Sequence, residues 1–418
     1  MLTQAPKGTK DVIPEESYKW HYLEQVIRDL CRDFGYKEIR TPVFEHTELF
    51  ERGMGDTTDV VQKEMYTFTG KGDKSISLRP EGTASVVRSY LENSLYAGPQ
   101  PTKMFYVIPC YRYEKPQKGR LREFHQFGAE VFGASNPSVD AEIISLAMTF
   151  FERLGVKNLA LNINSIGCPE CRKEYNEKLK EYLGQYLEEL CQTCNDRYAK
   201  NPLRILDCKS DKCKSIAKNA PVLLDSICDD CRKHFDSVKG YLDGMGIRYN
   251  IDPGIVRGLD YYTRTVFEII SNDIGAQSTV CGGGRYDGLI EELGGSPTPG
   301  IGFGLGIERL LLVMEEQGIE MPKPEMMKLF VASIGENAEQ KAQQIVMSLR
   351  KQGISADKDH MGRSVKAQMK FADKLGVQYT TVLGDNEIDN NKAVLKNMKT
   401  GETIEIELDK IAEIMKSI

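Results

Sequence analysis

Guanidinium groups stand in this sequence beside glycines and short connectors that would let a ligand reach them. Arg112, Lys115, Lys118, Arg120 and Arg122 lie in or next to a charged connector, residues 114–123, between two apolar, aromatic-rich runs. Arginine presents paired planar donors that match phosphate and carboxylate oxygens, so a basic tip of this kind suits nucleotide phosphates or an RNA backbone. Arg257 opens RGLDYYTRTVFE (257–268) with Tyr261 and Tyr262 close behind, and Arg309 follows the glycines of GIGFGLGIERL (300–310). GGGRYDG (282–288) reads as a turn into a helix, where missing Cβ atoms let backbone approach a ligand. No GxxxxGK(S/T) loop is present, and the glycine runs lack the spacing of a dinucleotide fingerprint. Any nucleotide would therefore be gripped by arginines on an antiparallel sheet.

Gln126 and Glu130 are four apart in an apolar strand, so both project from one face and could floor a pocket for a small polar ligand. Glu81, Gly82 and Thr83 sit where a strand gives way to a helix, a junction that can face a ligand. Eight of the eleven cysteines fall in pairs: Cys168/Cys171, Cys191/Cys194, Cys208/Cys213 and Cys228/Cys231. The run 168–194, C-x2-C-x19-C-x2-C, has the spacing of a four-thiolate zinc site, and the remaining two pairs could make a second. Spacing leaves open which pairs share a metal. Disulfides are disfavoured in a reducing compartment.

The elements that must position these groups follow from pattern. Runs 104–113 and 124–132 read as an antiparallel hairpin with a mobile tip, Pro116 and Gly119 supplying the turn. Residues 15–34 are helical, and the strand around Pro42 should lie at an edge or an interface. A strand over 75–79 leads to a helix near Thr83, and a helix capped by Ser138 ends at Gly155. Residues 168–240 change to a Lys- and acid-rich helical module holding every paired cysteine. Beyond the Pro322/Pro324 linker, strands alternate with helices, which implies a small, partly parallel α/β domain. There Arg363, Lys366 and Lys370 share one helix face, a candidate RNA surface beside Lys358 and Lys374.

At 418 residues the chain has room for two or three cores. The net charge of -6 argues against blanket nucleic-acid affinity, so RNA contact must come from local patches. No apolar run is long enough to span a bilayer and the first residues lack a signal-peptide core, so a cytoplasmic location without membrane contact is expected.

Taken together, these stretches resemble the bacterial histidyl-tRNA synthetase family of class II aminoacyl-tRNA synthetases, from end to end. KEIRTPVFE resembles the first class motif, FYVIPCYRYEKPQKGRLREFHQFGAEVFG the second and GIGFGLGIERL the third; RGLDYYTRTVFE and CGGGRYDGL resemble the two signatures that mark the histidine enzymes. The resemblance implies an α+β fold: a class II antiparallel sheet flanked by helices, a helical insertion and a C-terminal α/β anticodon-binding domain. The corresponding ranges are 1–167 with 241–322, 168–240 and 326–418. It implies a homodimer that uses ATP and Mg2+ to make histidyl-adenylate and then esterifies tRNA(His). Arg112 would grip the α-phosphate and the histidine carboxylate, with Arg257 as the catalytic arginine beside it. Glu114 and Arg120 would meet adenine and the outer phosphates, and Arg309 the γ-phosphate. Glu81, Thr83 and Gln126 would hold the ammonium, Glu130 and Tyr262 the imidazole nitrogens, with Gly82 and Tyr261 lining the same pocket. Gln117 would read the extra guanosine of the tRNA. The transfer step would need no protein base, because the adenylate's own phosphate oxygen can take the proton. Zinc does not follow from the resemblance; held in the insertion, it would stiffen a clamp on the tRNA acceptor arm.

One rival is the regulatory paralogue that partners ATP phosphoribosyltransferase. That paralogue tends to lose the catalytic arginine, the hairpin tip and the C-terminal domain, all of which are present here. A stand-alone adenylate-forming enzyme is disfavoured by the same C-terminal domain.

Overall fold

Ten-residue runs rich in aromatic and β-branched residues build the centre of the molecule. In the computed structural model, which describes residues 3–55, 58–208 and 210–418 and leaves out the side chains at 276 and 277, the chain forms two compact units, Met1–Pro322 and Lys323–Ile418. The first begins with α1 (Pro14–Asp33), β1 (Lys37–Glu38), β2 (Phe44–His46) and α2 (Thr47–Met54). Then come β3 (Thr67–Thr69), β4 (Ser75–Leu78) and α3 (Thr83–Glu92). The hairpin is β5 (Thr102–Tyr111) and β6 (Glu123–Phe132), followed by α4 (Pro137–Arg153) and β7 (Leu159–Ser165). Four helices make the insertion: α5 (Pro169–Gly184), α6 (Gln192–Lys200), α7 (Asp211–Ala217) and α8 (Asp229–Gly244). The unit closes with β8 (Asn250–Ile251), β9 (Thr263–Ser271), β10 (Thr279–Arg285), α9 (Leu289–Glu292), β11 (Gly300–Gly306) and α10 (Ile307–Glu316).

Eight strands form one sheet in the order β1-β5-β6-β11-β10-β9-β7-β8, antiparallel except for the short β1 and β8 at its edges. The expected hairpin is present, Thr102 facing Phe132 and Tyr111 facing Glu123. Alternation along β6 then separates two environments. Phe127, Ala129 and Val131 face a helical layer, where the Phe127 ring meets Phe150 of α4 and Phe303 of β11 edge-on at 5.2 and 5.3 Å. Gln126 and Glu130 face the other way, onto the site described below.

Three local expectations change. The run around Pro42 splits into β1 and β2, which enter different sheets, because Pro42 cannot continue a ladder. The glycines of 282–284 lie inside β10, not in a turn. Asn136 caps α4, its side chain accepting from the Ser138 N–H at 2.9 Å, while Pro137 takes the first helical position.

A fully buried ion pair welds the insertion's last helix to the core. Arg285 of β10 forks onto Asp140 of α4, and His234 of α8 lies 3.0 Å from the same carboxylate. Asp140 is thereby held below the ordinary carboxylate range, the guanidinium and imidazole outweighing the opposing effect of burial.

The second unit contains β12 (Leu329–Ser333), α11 (Glu336–Lys351), β13 (Ala356–Lys358), α12 (Val365–Leu375) and β14 (Tyr379–Leu383). After these come α13 (Asp385–Asp389), β15 (Lys392–Asn397), β16 (Thr403–Glu407) and α14 (Ile411–Ser417). Its sheet runs β13-β12-β14-β15-β16, parallel in the first three strands and antiparallel in the last three. This is the expected partly parallel α/β pattern.

Candidate active site

Arg112, Glu114, Arg120, Gln126, Arg257 and Arg309 line one cleft of about 330 Å³ on the sheet face opposite α4, together with Glu268 and Glu308. Each arginine is steered by a backbone carbonyl or a carboxylate. Arg112 Nε donates to Pro80 O at 2.8 Å, and its guanidinium lies 5.4 Å from the Phe124 ring. Arg309 Nε donates to Gly119 O at 3.2 Å, which ties the helix α10 to the hairpin tip. Arg120 pairs with the buried Glu114 and lies 3.8 Å from Glu64. Burial lowers the pKa of Arg120 and Arg309 from the usual guanidinium value, and neighbouring arginines add to the effect in both. That mutual repulsion is the electrostatic signature of a site built for an anion.

Arg257 sits in the left-handed backbone region, φ 56°, at the head of the loop before β9. Its Nη1 donates to Glu268 Oε1, while Glu268 Oε2 accepts from Thr279 Oγ1 at 3.1 Å. Burial opposes the charge, but Glu268 and Tyr262 outweigh it and raise the Arg257 pKa. The guanidinium lies flat on Gly282, where a Cβ would stand 2.4 Å from Nη1. The glycine run therefore admits a protein side chain.

The residues expected to bind a small amino acid form a second, deeper layer. Glu81, Thr83, Glu130, Tyr261 and Tyr262 are buried behind the cleft wall, because their polar atoms satisfy one another. Glu81 accepts from the Thr83 and Ala84 N–H groups at 2.7 and 2.8 Å, satisfying the first turn of α3. Burial raises its pKa. Glu130 accepts from Thr83 Oγ1 at 2.7 Å, Tyr106 OH at 3.0 Å and Tyr286 OH. Burial pushes Glu130 up to about 8 despite these bonds. Gln126 joins the two layers, its Oε1 accepting from Gly82 N at 3.0 Å. The glycines of β11 make room: a Cβ at Gly302 would overlap Glu130 Oε2, and one at Gly304 would lie 2.2 Å from Gln126 Nε2. Tyr262 stacks against Tyr261 at 4.6 Å, and the Arg257 guanidinium is 5.7 Å from its ring. Sequence reasoning passed over Glu268, Tyr106 and Tyr286; an acidic residue inside the apolar strand VFEII was the available signal for the first.

Gln117 is exposed at the hairpin tip, where its backbone and that of Arg120 bond reciprocally at 3.1 and 2.9 Å. On α12, Lys366 and Lys370 are exposed. Arg363 and Lys358 are not free in the same way: Arg363 Nη1 donates to Asp359 Oδ1 at 2.6 Å, and Lys358 is buried.

The thiols assemble in a pattern that spacing left open. Cys168, Cys171, Cys228 and Cys231 form one group and Cys191, Cys194, Cys208 and Cys213 another, all sulfurs of each group within 4.8 Å of one another. The C-x2-C-x19-C-x2-C run is thus not a unit. Its two halves are separated by α5, which carries the chain about 24 Å at 1.5 Å per residue. The return of the chain into α8 instead sets Cys228 N–H 3.1 Å from Cys171 Sγ.

The family model "Histidyl-tRNA synthetase" matches residues 8–310, and the model "Anticodon binding domain" matches 328–418. The chain belongs to the histidyl-tRNA synthetase family. A histidine–tRNA ligase of Acetivibrio thermocellus is 63% identical over 416 residues, covering 100% of both chains. One from Caldanaerobacter subterraneus is 58% identical over 417 residues at the same coverage. The crystal structure of apo S. aureus histidyl-tRNA synthetase superposes with a TM-score of 0.86 at 45% identity, covering 99% of this chain and 100% of that one. The convergent arginines, the histidine signatures and the two-unit organisation thus belong to a histidyl-tRNA synthetase, one with eight paired thiols between residues 168 and 231.

Proposed function

We propose that the protein joins L-histidine to ATP as histidyl-adenylate and transfers the histidyl group to the 3' end of tRNA(His). The observation that carries this reading at the residue level is the convergence of Arg112, Arg120, Arg257 and Arg309 on one cleft that Gln126 connects to the pocket of Glu81 and Glu130. In the first step a histidine carboxylate oxygen attacks the α-phosphorus and the bond to pyrophosphate breaks. Arg112 and Arg257 would flank that phosphorus and take up the charge developing on its oxygens. Arg120 and Arg309 would hold the departing pyrophosphate, with Glu114 reaching adenine once Arg120 turns to phosphate. Magnesium would be held by the nucleotide phosphates and would neutralise their charge; Glu268 and Glu308 line the cleft and could join it on exchanging their present partners, Arg257 and the His125 N–H.

For recognition, Glu130 and Tyr262 would bond the two imidazole nitrogens, and Glu81, Thr83 and Gln126 the ammonium. An amino acid lacking ring nitrogens would leave these buried groups unpaired, which is costly. Gln117 at the hairpin tip would contact the acceptor end of the tRNA, and Lys366 and Lys370, with Arg363 behind them, its anticodon arm. A homodimer fits the exposed apolar side chains Val43 and Phe44 next to Pro42, with exposed Phe68 two strands away in the same small sheet. Zinc suits the two thiol groups, outside the reacting centre. Among the described residues, no helix is long and apolar enough to cross a membrane.

Charging of a tRNA(His) transcript with labelled histidine tests the reading. Label that stays on the RNA in acid and is released by mild alkali, as an aminoacyl ester is, is expected. Label that fails to appear with folded, histidine-binding protein would return the regulatory paralogue to first place.

A further inference from the structure

We propose that the insertion holds two zinc ions in nested four-thiolate sites, and that the inner ion positions the Arg257 loop. This goes beyond the activation reading but rests on it for the role of Arg257.

The thiols have the geometry of metal sites. Zn–S bonds of about 2.3 Å in a tetrahedron place sulfurs about 3.8 Å apart. Cys191 and Cys208 Sγ are 3.8 Å apart, and Cys168 and Cys171 Sγ 3.5 Å. These distances are far from a disulfide, about 2.05 Å, and all eight thiols are free. Helix N-termini favour the thiolate at three of the eight sulfurs. Cys168, Cys191 and Cys228 each occupy the N-cap of a helix of nine or more residues. Backbone N–H groups point at sulfur in both sites, Cys228 N to Cys171 at 3.1 Å and Cys191 N to Cys213 at 3.3 Å. Four soft ligands in tetrahedral reach, all buried or half-buried except the exposed Cys228 of the outer site, select zinc or iron among common metals, and a site with four protein ligands leaves no position for substrate.

The two sites do different work. The outer one, Cys168/Cys171 with Cys228/Cys231, closes the ends of the insertion. The inner one, Cys191/Cys194 with Cys208/Cys213, brackets residues 195–207, and that bracket reaches the active site. Arg204 Nη1 donates to Arg257 O at 3.1 Å, and Asn201 Nδ2 donates to Asp260 Oδ1 at 2.9 Å. Arg197, on the same stretch, pairs with Asp59 at 2.8 Å. Arg257 holds a left-handed backbone conformation that costs a non-glycine residue of order 1–3 kcal/mol and persists only when its surroundings fix it. Without the inner ion the nine-residue α6 and the single helical turn after it, Pro202–Ile205, lose the tie between their ends, and the contacts that fix Arg257 lose their anchor. Arg204 and Asn201 are positioning residues, and the ion acts through them.

Elemental analysis of protein purified under reducing conditions without added metal should find two zinc per chain, falling to one in Cys194→Ser/Cys208→Ser. That variant should lose roughly 10–100-fold in kcat for histidine-dependent ATP–pyrophosphate exchange, the range of an outer-sphere disruption. Its histidine KM should change far less, and peptides spanning 255–262 should exchange amide hydrogen faster. Arg204→Ala should reproduce the kcat loss and the faster exchange with two zinc still bound, and Arg204→Lys should restore part of both. Fewer than two metals in the wild type, or iron with its visible absorbance, overturns the site assignment. Unchanged 255–262 exchange in both the serine and Arg204→Ala variants overturns the coupling. If the serine variant does not fold, Arg204→Ala decides the coupling. Two zinc per chain with faster 255–262 exchange in the variants, but no activity with histidine in the wild type, would leave the clamp standing and refute the activation reading instead.

Discussion

Arg257→Ala removes a guanidinium that Glu268 and Gly282 hold in place before any substrate arrives. A donor fixed in this way meets the charge developing on the α-phosphate without rearranging, and deleting one comparable donor costs roughly 10²–10³ in kcat, about 2.7–4 kcal/mol. In the proposed pose histidine is held mainly by Glu81, Gln126 and Glu130, so histidine affinity should change little. The substitution also strands Glu268. Its side chain keeps 22% exposure, so water can reach the carboxylate and the penalty should be nearer 1 kcal/mol than the 3–5 kcal/mol of a fully buried ion. Histidine-dependent ATP–pyrophosphate exchange measured beside urea unfolding separates the two effects. Arg257→Ala/Glu268→Gln should regain stability and stay inactive. Unchanged exchange in the single variant, or exchange recovered in the double one, would refute the role given to Arg257.

Gly282→Ala should lower exchange about tenfold or more with little loss of stability, since its Cβ displaces the movable Arg257 guanidinium while the strand backbone is ordinary; equal activity in the two proteins would contradict the close packing. Glu130, pushed up to about 8, keeps its proton in the fold well above the unfolded value of 4.5. Its contribution is therefore greatest at low pH and declines as pH rises from 4.5 to about 8, so the urea stability of the wild type should fall relative to Glu130→Gln across that window. The kcat/KM for histidine should gain from the same deprotonation, as the carboxylate becomes a better acceptor, and Glu130→Gln should lack that limb. Asp140→Ala leaves Arg285 and His234 without their shared partner and should cost about 3–5 kcal/mol in urea unfolding; a loss below about 1 kcal/mol would show that water replaces the carboxylate.

Much of this was legible in the sequence where one physical rule decides. The β5–β6 hairpin was readable because two long strand-forming runs flank a connector with Pro116 and Gly119. The arginines were readable as anion ligands because few other uses of several guanidiniums beside glycines exist. The reading of 282–284 as a turn followed the usual meaning of glycine; the strand glycines instead make room for Arg257, Phe303 and Tyr262, atoms brought there by distant segments. Which cysteine pairs share a site stayed open for the same reason, since neighbours in sequence are separated by α5 and neighbours in space are joined by the return through α8. Arg363 was read as sharing a helix face with Lys366 and Lys370, but α12 begins only at Val365, and Arg363 pairs with Asp359 across the turn that leads into it. The depth of Glu81, Thr83 and Glu130 behind the cleft was not legible, because it depends on hydroxyls from Tyr106 and Tyr286.

The central claim is that this cleft activates histidine. Histidine-dependent ATP–pyrophosphate exchange, run against a panel of other amino acids, tests it most directly. Exchange with histidine and with no other amino acid is the expected result. No exchange from folded protein that still binds histidine, or equal exchange with an amino acid that lacks an imidazole, would contradict the account.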